Sequence, residues 1–196
     1  MDTASTAVIT SINEFLHAAP ESRAKIWRRD LSATLMELLG ELAVEDLGEL
    51  VLSPNRFGPR SVIPWVAFLT PEISPNVQSG YYPLLLLDES TQTIYVCLAV
   101  AWNQFARRHS PNTALSKNLE ARESLLEQVR QPLLSDTLQL SASAPFARIL
   151  ERVCFSVGRV ELGSEIAAEE FTRTLRHNLE VYVEMLQTGN PQVLSA

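Results

Sequence analysis

The side chains that carry catalysis in other proteins are few in this sequence, and they are scattered along it. Lys25 and Lys117 are its only lysines, and neither follows the Gly-rich loop that a phosphate-binding P-loop requires. The three histidines have no second His or Cys at metal-ligand spacing, and no Cys stands beside a His that could activate it. We therefore expect a protein that is not an enzyme and that uses no cofactor and no metal. A small hydrolase is the least favoured alternative.

A metal-dependent nuclease would need acidic side chains and a lysine clustered at the ends of strands. Asp88 and Glu89 are the only acidic pair that follows a strand-like apolar run, and neither lysine lies two positions after an acidic residue. Asp often opens turns. This pair therefore predicts a turn rather than a metal site.

Aromatic and apolar residues in the middle of the chain suit the binding of a nucleic-acid base. Side chains alternate along a strand, so Tyr82 and Leu86 share one face of the strand predicted at 81–87, and Trp65 could complete a slot from a neighbouring strand. A base that leaves a duplex needs an aromatic face to stack on and an apolar surface for a methyl group. Ordinary core packing explains the same three residues, so their types alone leave both interpretations open.

A loop in the middle of the chain is basic and has an aromatic residue at its centre. Phe57 lies between Arg56 and Arg60, and the loop around them contains no acidic side chain. An aromatic tip between two positive charges suits a loop that inserts beside a base while its arginines contact phosphates. A packed loop anchor with solvated arginines is the alternative. Arg107 and Arg108 form a second basic cluster and are candidate DNA contacts.

The elements that must position these residues predict an α+β fold, in which a central, mostly antiparallel sheet is flanked by N- and C-terminal helices. Helical periodicity predicts helices over 4–19, 21–43, 116–131 and 167–187. Apolar and β-branched runs predict strands over 47–52, 63–69, 81–87, 93–101 and 152–162, with the last interrupted at Gly158. The predicted organisation is an N-terminal helical segment (1–45) that forms one globular unit with a domain at 46–188, followed by a tail (189–196).

Composition limits the classes of partner. The chain has 196 residues, of which 46% are hydrophobic, so it can bury a core. Its net charge of −7 argues against a uniformly basic nucleic-acid coat but permits a local basic patch. Much of the acidity is confined to 30–49 and 161–184. If the helices there face away from the binding side of the sheet, an acidic chain can still bind DNA.

The same composition indicates where the protein works. Cys97 and Cys154 both lie in apolar stretches, which predicts buried free thiols in a reducing compartment. The N-terminus has no basic region followed by a long apolar segment, so no signal peptide is predicted. The longest apolar run, Tyr81 to Leu87, is too short to span a membrane. We expect a cytoplasmic protein with no membrane partner.

The order of features between Leu47 and Val100 resembles the N-terminal DNA-binding domains of McrB, the recognition subunit of the methylcytosine-directed restriction system McrBC. The residues that carry the resemblance follow one another along the chain: an aromatic in a Gly/Pro loop at 57–58, an Ile-Pro-Trp strand at 63–69, a Gly-Tyr-Tyr-Pro strand at 80–86, a strand at 94–98 and a Tyr-x-x-Met-Leu helix end at 182–186.

The resemblance implies a module that swings a modified cytosine out of the duplex, within a type IV restriction or related defence system. It assigns Trp65, Tyr82 and Leu86 to the pocket for the modified base, and the loop that carries Phe57 to the space near the flipped base. The implied partners are double-stranded DNA that carries modified cytosine, together with a GTPase motor and a nuclease subunit. The alternative, from another class, is a non-catalytic module that binds a protein or a small ligand in the same aromatic pocket.

Overall fold

A five-stranded antiparallel sheet lies at the centre of the chain, whose computed structural model describes residues 3–55, 63–127 and 129–188. The strands are adjacent in sequence order: β1 (Val51–Pro54), β2 (Trp65–Leu69), β3 (Tyr81–Asp88), β4 (Thr93–Val100) and β5 (Cys154–Glu161). The helices are α1 (Thr3–His17), α2 (Pro20–Lys25), α3 (Leu31–Leu42), α4 (Asn103–Ala106), α5 (Pro111–Leu126), α6 (Pro145–Val153) and α7 (Ala167–Thr188), and a π-helical turn (Ile26–Asp30) joins α2 to α3. The predicted α+β class is confirmed.

The sheet is covered on both faces, which is why β3 and β4 are buried along their whole length. Side chains alternate between the faces. Tyr81 and Leu85 point into a core shared with α1, α3, α5 and α7, and we call this side the α7 face. Tyr82 and Leu84 point into a smaller core shared with α6, and we call this side the α6 face. The cross-strand neighbours on the α6 face include small residues, Ala67 among them.

The N-terminal helices pack on the α7 face. Phe15 of α1 and Leu35 of α3 are fully buried in the same core as the sheet. Trp27, in the π-helical turn, is also fully buried, and its ring centroid lies 4.8 Å from that of Phe15. Its indole N–H donates a 3.2 Å hydrogen bond to the backbone carbonyl of Trp65. A single side chain thus links the N-terminal helices to the start of β2.

The predicted first strand was placed too early. Residues 47–50 lie outside any strand, and β1 runs from Val51 to Pro54. Asp46 and Gly48 have positive φ values of 60° and 69°, a left-handed conformation that breaks an extended chain. Pro54 is tolerated because β1 is an edge strand, where one backbone N–H is not needed for the ladder.

The segment after β4 also differs from its prediction. α5 begins at Pro111 rather than near residue 116, and α4 and α6 were not predicted at all. The predicted strand at 152–162 begins at Cys154, and its irregularity is centred on Ser156, where φ is +47° and the register with β4 shifts. Gly158 instead permits close packing, because a Cβ there would collide with the Thr174 side chain of α7.

Asp88 ends β3 and fixes the turn that was predicted there. Its carboxylate accepts hydrogen bonds from the backbone N–H and hydroxyl of Ser141, at 2.7 and 2.6 Å, and from those of Ser90, at 3.2 and 2.9 Å. Burial opposes the ionisation of Asp88, but these four hydrogen bonds outweigh it, so its pKa lies below the usual value.

We expect Asp88→Asn to lower the free energy of unfolding at pH 7 by about 1.5–3 kcal/mol, because the amide carries no charge and puts an NH2 donor in place of one of the two acceptor oxygens. A carboxyl with a depressed pKa stabilises the fold above its unfolded-state pKa of about 3.9, and this contribution disappears as the pH falls through the folded-state pKa. Urea unfolding of both proteins should therefore converge at acid pH. A gap that stayed constant down to pH 2.5 would contradict this.

Candidate functional site

A cavity of about 290 Å³ lies between the α6 face of the sheet and the helix α6. Two of the three residues predicted for the base pocket, Trp65 and Tyr82, line it. The rest of the lining comes from the sheet (Leu84, Ala99), from the loop before β3 (Val77), from the segment after β4 (Trp102, Asn103) and from α6 (Phe146, Ile149, Leu150, Val153).

Strand pairing explains why Trp65 and Tyr82 lie on the same face of the sheet. Trp65 pairs with Leu86 across the β2–β3 ladder, and Ala67 pairs with Leu84 two residues further on. Tyr82 lies on the same strand face as Leu86 and Leu84, so Trp65 and Tyr82 face the same side of the sheet and both line the cavity.

The backbone of Trp65 is held from two sides. Its N–H donates to the Asn55 side-chain oxygen at 3.0 Å, and its carbonyl accepts from the Asn55 N–H at 2.9 Å and from the Trp27 indole at 3.2 Å. None of these bonds uses the Trp65 side chain. The indole ring of Trp65 is therefore presented to the cavity by a backbone that is fixed independently of it.

Tyr82 contributes an un-ionised aromatic ring to the cavity wall. It is 8% exposed, and its hydroxyl donates a 2.9 Å hydrogen bond to the carbonyl of Val77. Burial raises the pKa of Tyr82, and the neighbouring thiols of Cys154 and Cys97 raise it further. Both cysteines are free and buried on the α6 face. Burial also raises the pKa of Cys97, as does its hydrogen bond with Cys154.

Leu86, the third predicted pocket residue, is placed differently. It lies on the α6 face between Trp65 and Tyr95 in the strand register, is fully buried, and is not part of the cavity lining. The structure thus brings Trp65 and Tyr82 together and leaves Leu86 in the core beside them. A direct role for Leu86 in the pocket stays a prediction.

The predicted DNA-contacting loop with Phe57, Arg56 and Arg60 lies outside the described residues. Its two described ends are held together by Asn55, whose side-chain amide donates a 3.2 Å hydrogen bond to the carbonyl of Ile63. The described residues on either side of it, Asn55 and Ile63, therefore lie next to Trp65.

The second predicted basic cluster lies beside another concavity. Arg107 and Arg108 are exposed after α4, and Arg107 donates to the Gln78 side chain. The adjacent groove, of about 460 Å³, lies between the α4–α5 segment and α6, and we call it the basic groove. Its lining is Trp102, Ala106, His109, Pro111, Asn112, Leu115, Pro145, Arg148, Ile149, Arg152 and Val153.

Sequence reasoning missed the contribution of α6. Phe146 is 48% exposed at the rim of the cavity, and Arg148 and Arg152 line the basic groove. The available signal was a Pro at a helix start followed by two arginines four residues apart, which lie on one side of a helix. That signal was missed because no element was predicted over 132–151 and Arg152 was assigned to a strand at 152–162.

Charge is distributed unevenly around the sheet. The stretches 30–49 and 161–184, which hold twelve of the 23 acidic residues, contain α3 and most of α7, and both helices pack on the α7 face, whereas the basic groove adjoins the α6 face. A further basic surface is lined by Lys25, Arg28 and Arg29 together with Pro54, two residues before the loop that is not described. The acidic helices thus cover the face opposite the cavity.

Within 3–55, 63–127 and 129–188, no three His, Cys, Asp or Glu side chains gather as a metal site would require. In the same ranges, no helix combines the length and the apolar character needed to cross a bilayer.

The family described as "MrcB-like, N-terminal domain" has a sequence model that matches residues 17–187, which is most of the chain. No curated protein and no solved structure matches the chain.

Proposed function

The chain belongs to the family of MrcB-like N-terminal domains, and on that premise we propose that it recognises modified cytosine in double-stranded DNA by flipping the base into the cavity between Trp65 and Tyr82. The N-terminal domain of McrB is a DNA-binding module rather than a catalytic domain, and it belongs to a restriction system. In our proposal, DNA cleavage and GTP hydrolysis lie on other domains or on partner subunits, and the module acts in the cytoplasm as part of a type IV defence system.

The observation that supports this most strongly is that two aromatic side chains, Trp65 and Tyr82, line one small cavity. Its volume of about 290 Å³ lies at the lower limit of the roughly 300–1,000 Å³ that small-molecule sites occupy, which suits a single base. Extruding a base from a duplex costs a few kcal/mol, and stacking on an aromatic side chain returns about 1–3 kcal/mol per base.

The chemistry of the lining suggests how cytosine would be read. Leu84 and Ala99 offer apolar surface for a substituent on the base. Asn103 contributes the side-chain amide of the lining, and an amide can both donate to and accept from the hydrogen-bonding edge of cytosine. Because Tyr82 stays un-ionised, it adds no negative charge that would repel a nucleotide.

The loop with Phe57 completes the proposal. We assign Phe57 to the space near the flipped base and Arg56 and Arg60 to flanking phosphates, since the loop is anchored at Asn55 beside Trp65. If this is right, removing both arginines reduces the salt dependence of binding for every duplex, because each lost phosphate contact changes the log–log slope by about one unit.

The deciding experiment is a binding titration of the purified chain with duplexes that carry 5-methylcytosine, 5-hydroxymethylcytosine or cytosine at one position. We expect a modified duplex to bind at least tenfold more tightly, and a fluorescent base analogue at the target position to brighten when it leaves the stack. Equal affinities with a dark analogue would reject base flipping. Binding of a peptide or small ligand in the cavity, with no binding of DNA, would favour the interaction module instead.

A further inference from the structure

We propose that the basic groove binds the sugar–phosphate backbone of the strand whose base enters the cavity, with Arg152, Arg148 and His109 as phosphate contacts. The identity of this ligand rests on the proposed function above. The first support is continuity, because Trp102, Ile149 and Val153 line both the cavity and the groove. A nucleotide whose base occupied the cavity would therefore place its neighbouring backbone along the groove.

The second support is charge. His109, Arg148 and Arg152 line the groove, and no Asp or Glu of the described chain does. Arg107 and Arg108 add two exposed positive charges where α4 ends, and residues 101–119 contain no acidic side chain. A concentration of cations in a chain of net charge −7 attracts an anionic ligand, and DNA supplies a phosphate at every nucleotide.

The acidic residue of α6 does not cancel this charge. The Glu151 carboxylate accepts a 2.9 Å hydrogen bond from the backbone N–H of Leu140 and forms a 2.8 Å ion pair with Arg148. Glu151 is not part of the groove lining, whereas Arg152 is exposed on the groove side. Arg152 is therefore more available than Arg148 to bind a phosphate. Arg148 would give up part of its ion pair with Glu151 when it binds one.

The N-terminal ends of two helices add to the positive electrostatic potential of the groove. Pro111 and Asn112 of α5 and Pro145 of α6 line the groove, so the N-terminal ends of both helices face it. The Ser110 side chain makes no bond to the first-turn N–H groups of α5 and lies 3.0 Å from the Thr113 hydroxyl instead. Backbone N–H groups at helix starts favour anions, and here they supplement the arginines.

The apolar part of the groove suits the remainder of a nucleotide chain. Trp102, Leu115 and Ile149 line the groove together with the cationic side chains, so the groove combines positive and apolar surface. Grooves that follow a nucleic-acid strand combine positive charge with aromatic surface in this way. An apolar peptide would leave the arginines without partners, and a free anion would leave the apolar wall uncovered.

The test measures how binding depends on salt for Arg152→Gln and for the double variant Arg148→Gln/Arg152→Gln, in the full chain and with both modified and unmodified duplexes. We expect the slope of log affinity against log salt to fall by about one unit for the single variant and about two for the double. The preference for modified DNA should remain within twofold of the wild type, because the cavity is unchanged. Thermal melts of each variant show that the fold is intact.

Arg173→Gln is the matched control. Arg173 is exposed on α7, the helix that covers the opposite face of the sheet, and its replacement removes the same charge. Its slope should equal that of the wild type. An equal loss of slope in Arg173→Gln and Arg152→Gln would overturn the groove, because the effect would then be one of net charge alone.

The remaining outcomes separate the two proposals. Unchanged slopes in the groove variants, with a wild-type preference for modified DNA, would overturn the groove and leave the proposed function standing. Reduced slopes without any preference in the wild type would support the groove and overturn modified-base recognition. No binding of any duplex at 50 mM salt would overturn both.

Discussion

Trp65→Ala should weaken binding to a modified duplex by about 10- to 100-fold and should weaken binding to an unmodified duplex much less. The factor follows from the loss of one base-stacking contact, worth about 1–3 kcal/mol. The variant is a fair probe because the hydrogen bonds at this position are made by the Trp65 backbone, not by its half-buried side chain. Direct titration of both duplexes measures the change in their ratio.

Two neighbouring variants serve as controls. Tyr82→Phe keeps the ring and removes only the hydroxyl bond to Val77, so the preference for modified DNA should survive. Leu86→Ala removes a fully buried side chain outside the cavity lining and should cost about 2–5 kcal/mol of stability, and a lower ratio among molecules that remain folded would show the direct pocket role that the resemblance implies for Leu86. A folded Trp65→Ala protein with the wild-type ratio would show that the cavity is not a base pocket.

Trp27→Ala should lower the free energy of unfolding by about 3–5 kcal/mol, a large part of the roughly 5–15 kcal/mol that a domain of this kind possesses. Trp27 is fully buried against Phe15, and it also supplies the indole N–H that binds the Trp65 carbonyl. Because this side chain joins the N-terminal helices to the sheet, we propose that both unfold as one cooperative unit. Chemical denaturation followed by circular dichroism and by tryptophan fluorescence should therefore give one midpoint, lowered in the variant.

Trp27→Phe is the companion variant. It keeps an aromatic ring against Phe15 and loses the hydrogen bond to Trp65, so we expect a smaller cost than for alanine. Two separate transitions in the wild type, with only the first shifted by Trp27→Ala, would mean that the helical segment folds independently of the sheet.

The elements that the sequence predicted well are those whose pattern is long and bounded. The β3–β4 hairpin was placed within one residue at every end, because two apolar runs flank a turn that Asp88 closes. α7 was placed equally well by the 3.6-residue period of its apolar side. α6 has nine residues and buries only Ala147, Leu150 and Val153, which is too short a pattern to separate helix from strand.

The residues of the candidate site likewise differ in how far the sequence could predict them. Trp65 and Tyr82 were predicted as pocket residues from the family resemblance, whereas strand alternation indicated only that Tyr82 and Leu86 share a face and left core packing as an equal explanation. The opposite wall of the cavity, with Phe146 and Ile149, depends on where α6 packs across the sheet. That placement is set by tertiary contacts between residues distant in sequence, and no local pattern encodes it.

The two cysteines that neighbour Tyr82 allow the opening of the cavity wall to be followed by thiol labelling of the unaltered protein. Cys97 and Cys154 are the only thiols of the chain, and both are buried on the α6 face. Alkylating reagents attack exposed thiolates, and burial holds Cys97 as the thiol, so Cys97 of the native protein is labelled only when this face opens. The rate at which Cys97 is alkylated, measured as the gain in protein mass, therefore reports how often the cavity wall opens. A ligand that keeps the wall closed lowers this rate.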